Sequence, residues 1–220
     1  MRLMAPPDGV ARETQLIAQL VGSACGRRAL SAAEAEILEW SLIQLALEGS
    51  GPIEEIRKSY QATLLAGADW HAAVATALLQ TPRQWGASLQ AGLSSFEEIR
   101  ADYRNTDVAV FQFADRIILD RSMEVPPIQG FIPVSAPSDP RPARLVELVT
   151  HLDVAGEAME LAKVLSDRFP HILKRHYKLS FEGALAAFLC DLEMEADKIP
   201  RLLALSTLIS LVFKPIRGIT

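Results

Sequence analysis

The chain has 220 residues, 50% of them hydrophobic and 22% charged, with a formal net charge of −5. That length can build one sizeable core or two small domains. The acidic balance argues against nucleic acid or an anionic membrane surface as the main partner.

The two cysteines, Cys25 and Cys190, form no metal-ligand spacing and read as reduced thiols. Cys190 lies in an apolar run and is expected in the core. The first residues, MRLMAPPDG, contain no long apolar segment and break at Pro6-Pro7. The apolar run Leu202–Phe213 is interrupted by serines and a threonine and is too short to span a bilayer. A cytoplasmic, reducing location is expected.

In chain order, Thr14–Cys25 reads as an amphipathic helix ending near Gly26. Ser31-Ala-Ala-Glu34 is a capping-box pattern, and the helix it starts runs to about Glu48 with Ala35, Leu38, Leu42 and Leu45 as its buried stripe. Gly49-Ser-Gly-Pro52 stops it and starts a helix to Gly67. Asp69 caps the next, Trp70–Gln80. Beyond Thr81-Pro82, a small apolar helix with Ala87, Leu89 and Ala91 on one side precedes a charged one, Phe96–Asn105. Thr106–Met123 is again amphipathic.

Pro126–Arg141 then breaks the pattern. It holds five of the 13 prolines and separates two helical blocks. Such a braced loop is either a linker or a binding element, since prolines reduce the entropy lost on ordering it. Arg141–Thr150 and Gly156–Phe169 follow as helices. Lys174-Arg-His-Tyr-Lys178 is a basic connection. Leu179–Leu192 reads as a helix buried on most sides. Asp197–Phe213 is the last helix, with Pro200 tolerated in its first turn. No stretch alternates with period two. The expected fold class is all-α, with about ten helices.

The residues alone offer few constellations. No phosphate-binding glycine loop, HExxH, CxxC or GxSxG is present. His71, His151, His171 and His176 are scattered. His176, among Lys174, Arg175 and Lys178, belongs either to an anion-binding cluster or to a solvated turn. Arg141 can clamp a carboxylate in bidentate fashion or pair with Asp139. Glu182 stands in the run LSFEGALAAFLC. It is either a buried acid of the kind used for proton transfer or a first-turn carboxylate favoured by the helix dipole.

Four ordered segments resemble the citrate synthase superfamily, especially its short citryl-CoA lyase branch. GRRALSAAEAEILEWSLIQLALEGSGP resembles that family's TGR-x-P helix and the turn after it. ADWHAAVATALLQTPRQWGASLQAG resembles the alanine-rich helix running into an R-H-G-G-A turn. IQGFIPVSAPSDPRPARLVEL resembles G-F-G-H-P followed by D-P-R, and LSFEGALAAFLCDLEM resembles N-V-D-G-A. Order and spacing agree over roughly Gly26–Phe213.

The resemblance implies an all-α dimer with two domains. Residues 1–88 and 180–220 would form the large one, and residues 89–179 the small one carrying the proline-rich loop. It implies carbon–carbon bond chemistry beside a thioester carbonyl in the interdomain cleft, on a small carboxylate or acyl substrate, with a CoA thioester as the possible cofactor. By the same resemblance Glu182 stands at the position of the catalytic base. Gln84 stands where the family has an enol-stabilising histidine and can still donate an amide hydrogen bond. Arg141, in the intact Asp139-Pro140-Arg141, would hold the substrate carboxylate, and Arg83, Ser135 and His176 would join it.

The second family histidine has no counterpart in Gly130-Phe131-Ile132-Pro133, and Thr207 occupies the place of a late arginine. Two readings follow. One is a repurposed enzyme using Glu182 and Gln84. The other is a non-catalytic paralogue that keeps the fold and dimer surface and serves as a structural or regulatory subunit of an active relative; the dimer is expected to be a homodimer or a heterodimer with a related subunit.

Overall fold

The computed structural model describes residues 28–47, 52–79, 87–174 and 176–213. Among them are nine α-helices, one 3-10 turn and one short two-stranded ribbon. The expected helix Thr14–Cys25 lies outside the described residues.

Helix α1 (Ala32–Ala46) begins at the capping box read from the sequence. The Ser31 hydroxyl accepts from the Glu34 N–H at 3.2 Å, and the Glu34 carboxylate accepts from the Ser31 N–H at 2.7 Å. Arg28 adds a forked pair to the same carboxylate. Helix α2 (Pro52–Leu65) ends at Gly67, whose φ of +88° is the left-handed stop expected of glycine. Helix α3 (Trp70–Leu79) is capped by Asp69, which accepts from the Ala72 N–H at 2.8 Å. Helices α2 and α3 pack against each other.

Helix α4 (Ala87–Arg104) is continuous where the sequence suggested two separate helices. Gly92 within it is a contact point: a Cβ there would lie 3.0 Å from the Ala186 methyl of helix α8 (Phe181–Asp191). The missing side chain lets the two helices close on each other.

Helix α5 (Val110–Asp120) packs on α7 (Glu157–Ile172), where Arg168 makes a forked pair with Asp115. Helix α6 (Arg141–His151) follows the proline-rich loop. Helix α9 (Ile199–Phe213), entered through the 3-10 turn Ala196–Lys198, lies along α1. The Ser206 hydroxyl donates to the Leu42 carbonyl at 2.9 Å. The buried Arg57 ties α2 to both neighbours, donating to Ser210 Oγ at 2.8 Å and to the Ala46 carbonyl at 2.9 Å.

Helix α8 is the hub, packing against α4, α6 and α7. Nine of its 11 residues are buried, and its two acids, Glu182 and Asp191, are the partly exposed ones at its ends. An acid in the last turn opposes the helix dipole, and Asp191 finds its compensation elsewhere. It accepts from the backbone N–H groups of Gly156, Ala158 and Met159 at 2.8–3.1 Å and so caps the start of α7. Burial pushes its carboxyl above the usual range against the pull of those donors.

The stretch expected to be purely loop and turn contains the ribbon. Strand β1 (Phe131–Pro133) pairs antiparallel with β2 (Tyr177–Leu179). Three-residue strands show no alternation long enough to detect. Phe131 and Tyr177 are held by Phe169, at centroid separations of 4.9 and 5.4 Å. Gly130, with φ of +96°, brings the loop backbone onto α8. Its carbonyl accepts from the Ser180 N–H at 2.9 Å, and a Cβ on Gly130 would stand 2.8 Å from the Gly183 Cα. A Cβ on Gly183 would run into the Gly130 carbonyl.

Gly183→Ala is therefore expected to cost about 3 kcal/mol or to block folding, because the obstacle is backbone on both sides. Gly67→Ala meets no atom within 4 Å and should cost only about 1 kcal/mol of left-handed strain. Equilibrium denaturation of the two variants makes the comparison. A second expectation concerns acid. The hydrogen bonds from Arg28, joined by those of Ser31, hold the Glu34 carboxyl down to about 2. That stabilisation is present above the ordinary carboxylate range and is lost as the pH falls from about 4.5 towards about 2. Arg28 is 41% exposed, so screening leaves about 1–2 kcal/mol. In Glu34→Gln, acid unfolding should lose that component.

Candidate functional site

Arg141 is the first residue of α6, where the chain leaves the proline-rich loop. Asp139 aims it. The Arg141 N–H donates to Asp139 Oδ1 at 2.9 Å, its Nε lies 3.0 Å from both carboxylate oxygens, and its Nη2 lies 2.8 Å from Oδ2. Burial works against the Asp139 carboxylate, but the side-chain and backbone hydrogen bonds from Arg141 win and hold its carboxyl below the usual range. The guanidinium carbon stands 4.6 Å from the centre of the Phe181 ring, a cation–π contact. The edge of Trp40, from α1, meets that ring at a centroid distance of 6.1 Å.

Phe181 opens α8 and Glu182 follows it in the first turn. The cap is Ser180, whose hydroxyl accepts from the Gly183 N–H at 3.0 Å. Glu182 is half-buried and has no ion pair among the described residues. The loop therefore brings Arg141 onto Phe181, the residue before Glu182.

Ser135 and His176 are exposed at the open end of the ribbon, where the Val134 N–H donates to the His176 carbonyl at 3.0 Å. Lys178, expected in a basic cluster, has a structural task. Its ammonium donates to the carbonyls of Ala136 and Pro137 at 2.7 and 3.2 Å and straps the loop to β2. Gln84 and Arg83, and Trp85 beside them, lie outside the described residues.

Two surface pockets flank this region. One, of about 470 Å³, lies between α6, α7 and β2. The other, of about 290 Å³, lies between Met123, Val125, Pro127 and Tyr177. Neither is lined by Arg141 or Glu182. Among the described residues no group of three histidines, cysteines or acids is placed to hold a metal ion. No described helix is long and apolar enough to cross a membrane.

No family model and no curated protein matches the chain. Among solved structures, citryl-CoA lyase from Hydrogenobacter thermophilus matches it with a TM-score of 0.65, covering 92% of this chain and 79% of that one at 19% identity. The fold is citrate synthase-like, in the manner of citryl-CoA lyase.

Phe181 and Trp40 were not singled out from the sequence as site-building residues, and nothing in a sequence tells an aromatic that seats a guanidinium from one that fills a core. Lys178 was read as part of a basic cluster, but its partners are carbonyls, which leave no mark in composition.

Lys178→Met removes the strap while keeping the length of the side chain. Amide hydrogen exchange around Ala136 should quicken, exchange in the middle of α8 should not change, and global stability should fall by about 1 kcal/mol or less.

Proposed function

We propose that the protein is a divergent citrate synthase-like enzyme performing acid–base or carbon–carbon bond chemistry on a carboxylate or acyl substrate. The observation that carries this reading is the meeting of Arg141 with the first turn of α8. The guanidinium is seated on Phe181, the neighbour of Glu182. In this reading Glu182 takes a proton from the carbon beside a thioester or ketone carbonyl. The C–H electron pair moves into the new double bond as charge builds on the carbonyl oxygen. The Gln84 amide donates a hydrogen bond to that oxygen, as an enolate requires. Arg141 and Arg83 bind a substrate carboxylate, with Ser135 and His176 at its edge. The likeness to a citryl-CoA lyase makes a CoA thioester the acyl carrier to try first.

A second reading is a non-catalytic subunit, paired with its own copy or with a related active chain. One observation favours it: Asp139 already takes the Nε–Nη2 edge of the Arg141 guanidinium. The exposed Leu65, Trp70 and Leu79 on α2 and α3 offer apolar surface for such a pairing.

The two readings part on proton exchange. Acetyl-CoA in deuterated water, followed by the methyl signal, should exchange faster with the protein than in buffer. Glu182→Gln should reduce the excess rate by about 100-fold or more while leaving the folded spectrum unchanged. Exchange at the buffer rate with acetyl-CoA and with a panel of other acyl thioesters and keto acids would select the subunit reading. Unchanged exchange in Glu182→Gln would remove Glu182 as the base.

A further inference from the structure

The basic connection from Lys174 to Lys178 divides its side chains between two tasks. Lys178 straps the loop, while Lys174 and Tyr177 line the pocket of about 290 Å³. Tyr177 is only 5% exposed, and its ring packs 5.4 Å from that of Phe169. Its hydroxyl makes no hydrogen bond among the described residues, yet it is not one of the buried oxygens left without a partner, which are those of Ser95 and Thr207. The small exposed part of this buried residue therefore includes its hydroxyl, and the surface it opens to is the pocket. A phenol held in a core ordinarily finds a partner there. This one presents its donor to an open volume.

Most of the remaining wall is apolar. Met123, Val125, Pro127 and Leu173 line it, and Met123 and Val125 are left 92% and 74% exposed. No acid lines the pocket. Its charged lining residue, Lys174, is exposed and has no ion pair among the described residues. Lys174 and Tyr177 are three residues apart in the chain, so their Cα atoms lie within about 11 Å of each other, and one small pocket borders both. A cation with no acid beside it disfavours an amine as ligand. A phosphate would need more donors than a phenol and a lysine supply, and it would leave the apolar wall unused. A single carboxylate on a hydrocarbon body uses the donor, the charge and the wall together. We propose that this pocket binds a monocarboxylic acid with a short hydrocarbon body. Its carboxylate accepts from the Tyr177 hydroxyl within the field of Lys174, and its hydrocarbon lies against Met123, Val125, Pro127 and Leu173. Neither Arg141 nor Glu182 lines the pocket, so the site stands apart from the chemistry proposed for them.

Hexanoate is the probe, titrated into the full chain and followed by ligand-observed NMR. Saturable binding with a dissociation constant of about 1 mM or tighter is expected. Hexan-1-ol, which lacks the charge, and acetate, which lacks the hydrocarbon body, should each bind at least about tenfold more weakly. Tyr177→Phe keeps the ring against Phe169 and removes the donor, and it should weaken hexanoate by about tenfold. Lys174→Met, an exposed change, should weaken it by about threefold. Val125→Glu, also exposed, sets a negative charge on the wall and should abolish binding. Absence of saturable hexanoate binding overturns the proposal. So does equal binding by any of the three variants, or of either analogue. Displacement of hexanoate by coenzyme A would give the pocket to the acyl carrier and overturn it as a separate site.

Discussion

The contact between the backbones at Gly130 and Gly183 is the constraint on which the candidate site depends. The two backbone segments approach so closely that neither position has room for a Cβ. The Gly130 carbonyl accepts the Ser180 N–H in the same place. One end of the proline-rich loop is thereby fixed against the start of α8. The other end is fixed by Arg141, held between Asp139 and the Phe181 ring of that same helix start. Between these points Lys178 holds the loop carbonyls from β2. A segment with little secondary structure is thus tied at two places to the start of one buried helix and at a third to the strand that precedes it. Its prolines lower the entropy that such ordering costs.

That helix is unusual in how it uses its acids. Nine buried residues lie between or beside two carboxylates, and the two meet opposite electrostatic conditions. Asp191 sits at the negative end of its own helix and is tolerated because it is a cap for α7. A side chain that is unfavourable locally thus becomes favourable across an interface, and Gly156 is needed so that the α7 backbone can reach it. Glu182 sits at the positive end, where the dipole and the exposed N–H groups favour charge. Its carboxylate is half-buried and makes no ion pair among the described residues, whereas Asp191 is engaged by three backbone donors.

The helices were legible because their apolar periods are long and their caps are explicit. Ser31-x-x-Glu34, Asp69 and Gly67 each perform the task their residue types suggest. The errors have a common physical origin. Ala87–Arg104 was read as two helices and is one, and Gly92 within it is a place of close approach to a helix more than 80 residues away. The ribbon was missed because its strands are three residues long, and its stability comes from Phe131, Phe169 and Tyr177 rather than from alternation. At the site, the Asp139–Arg141 pair was one of two outcomes left open by the residues, and the structure contains it. The stacking of Arg141 on Phe181 was not foreseeable, since it requires the loop and α8 to be brought together first.

The Asp139–Arg141 pair also limits what the arginine can do. A guanidinium held by a carboxylate along one edge, through two of its nitrogens, is oriented as well as neutralised. Removing the aspartate would leave a partly buried cation resting on an aromatic face, with a smaller energetic reward from the ring than from the carboxylate. A substrate carboxylate that reaches this arginine therefore either shares it with Asp139, in which case it feels a dipole rather than a full charge, or competes for it at the expense of the turn that starts α6. In the first case the arginine contributes more to orientation than to affinity. In the second, binding is coupled to the loop, because the same aspartate accepts the Arg141 backbone N–H. The geometry of this one pair thus links recognition at the mouth of α8 to the seating of the loop above it.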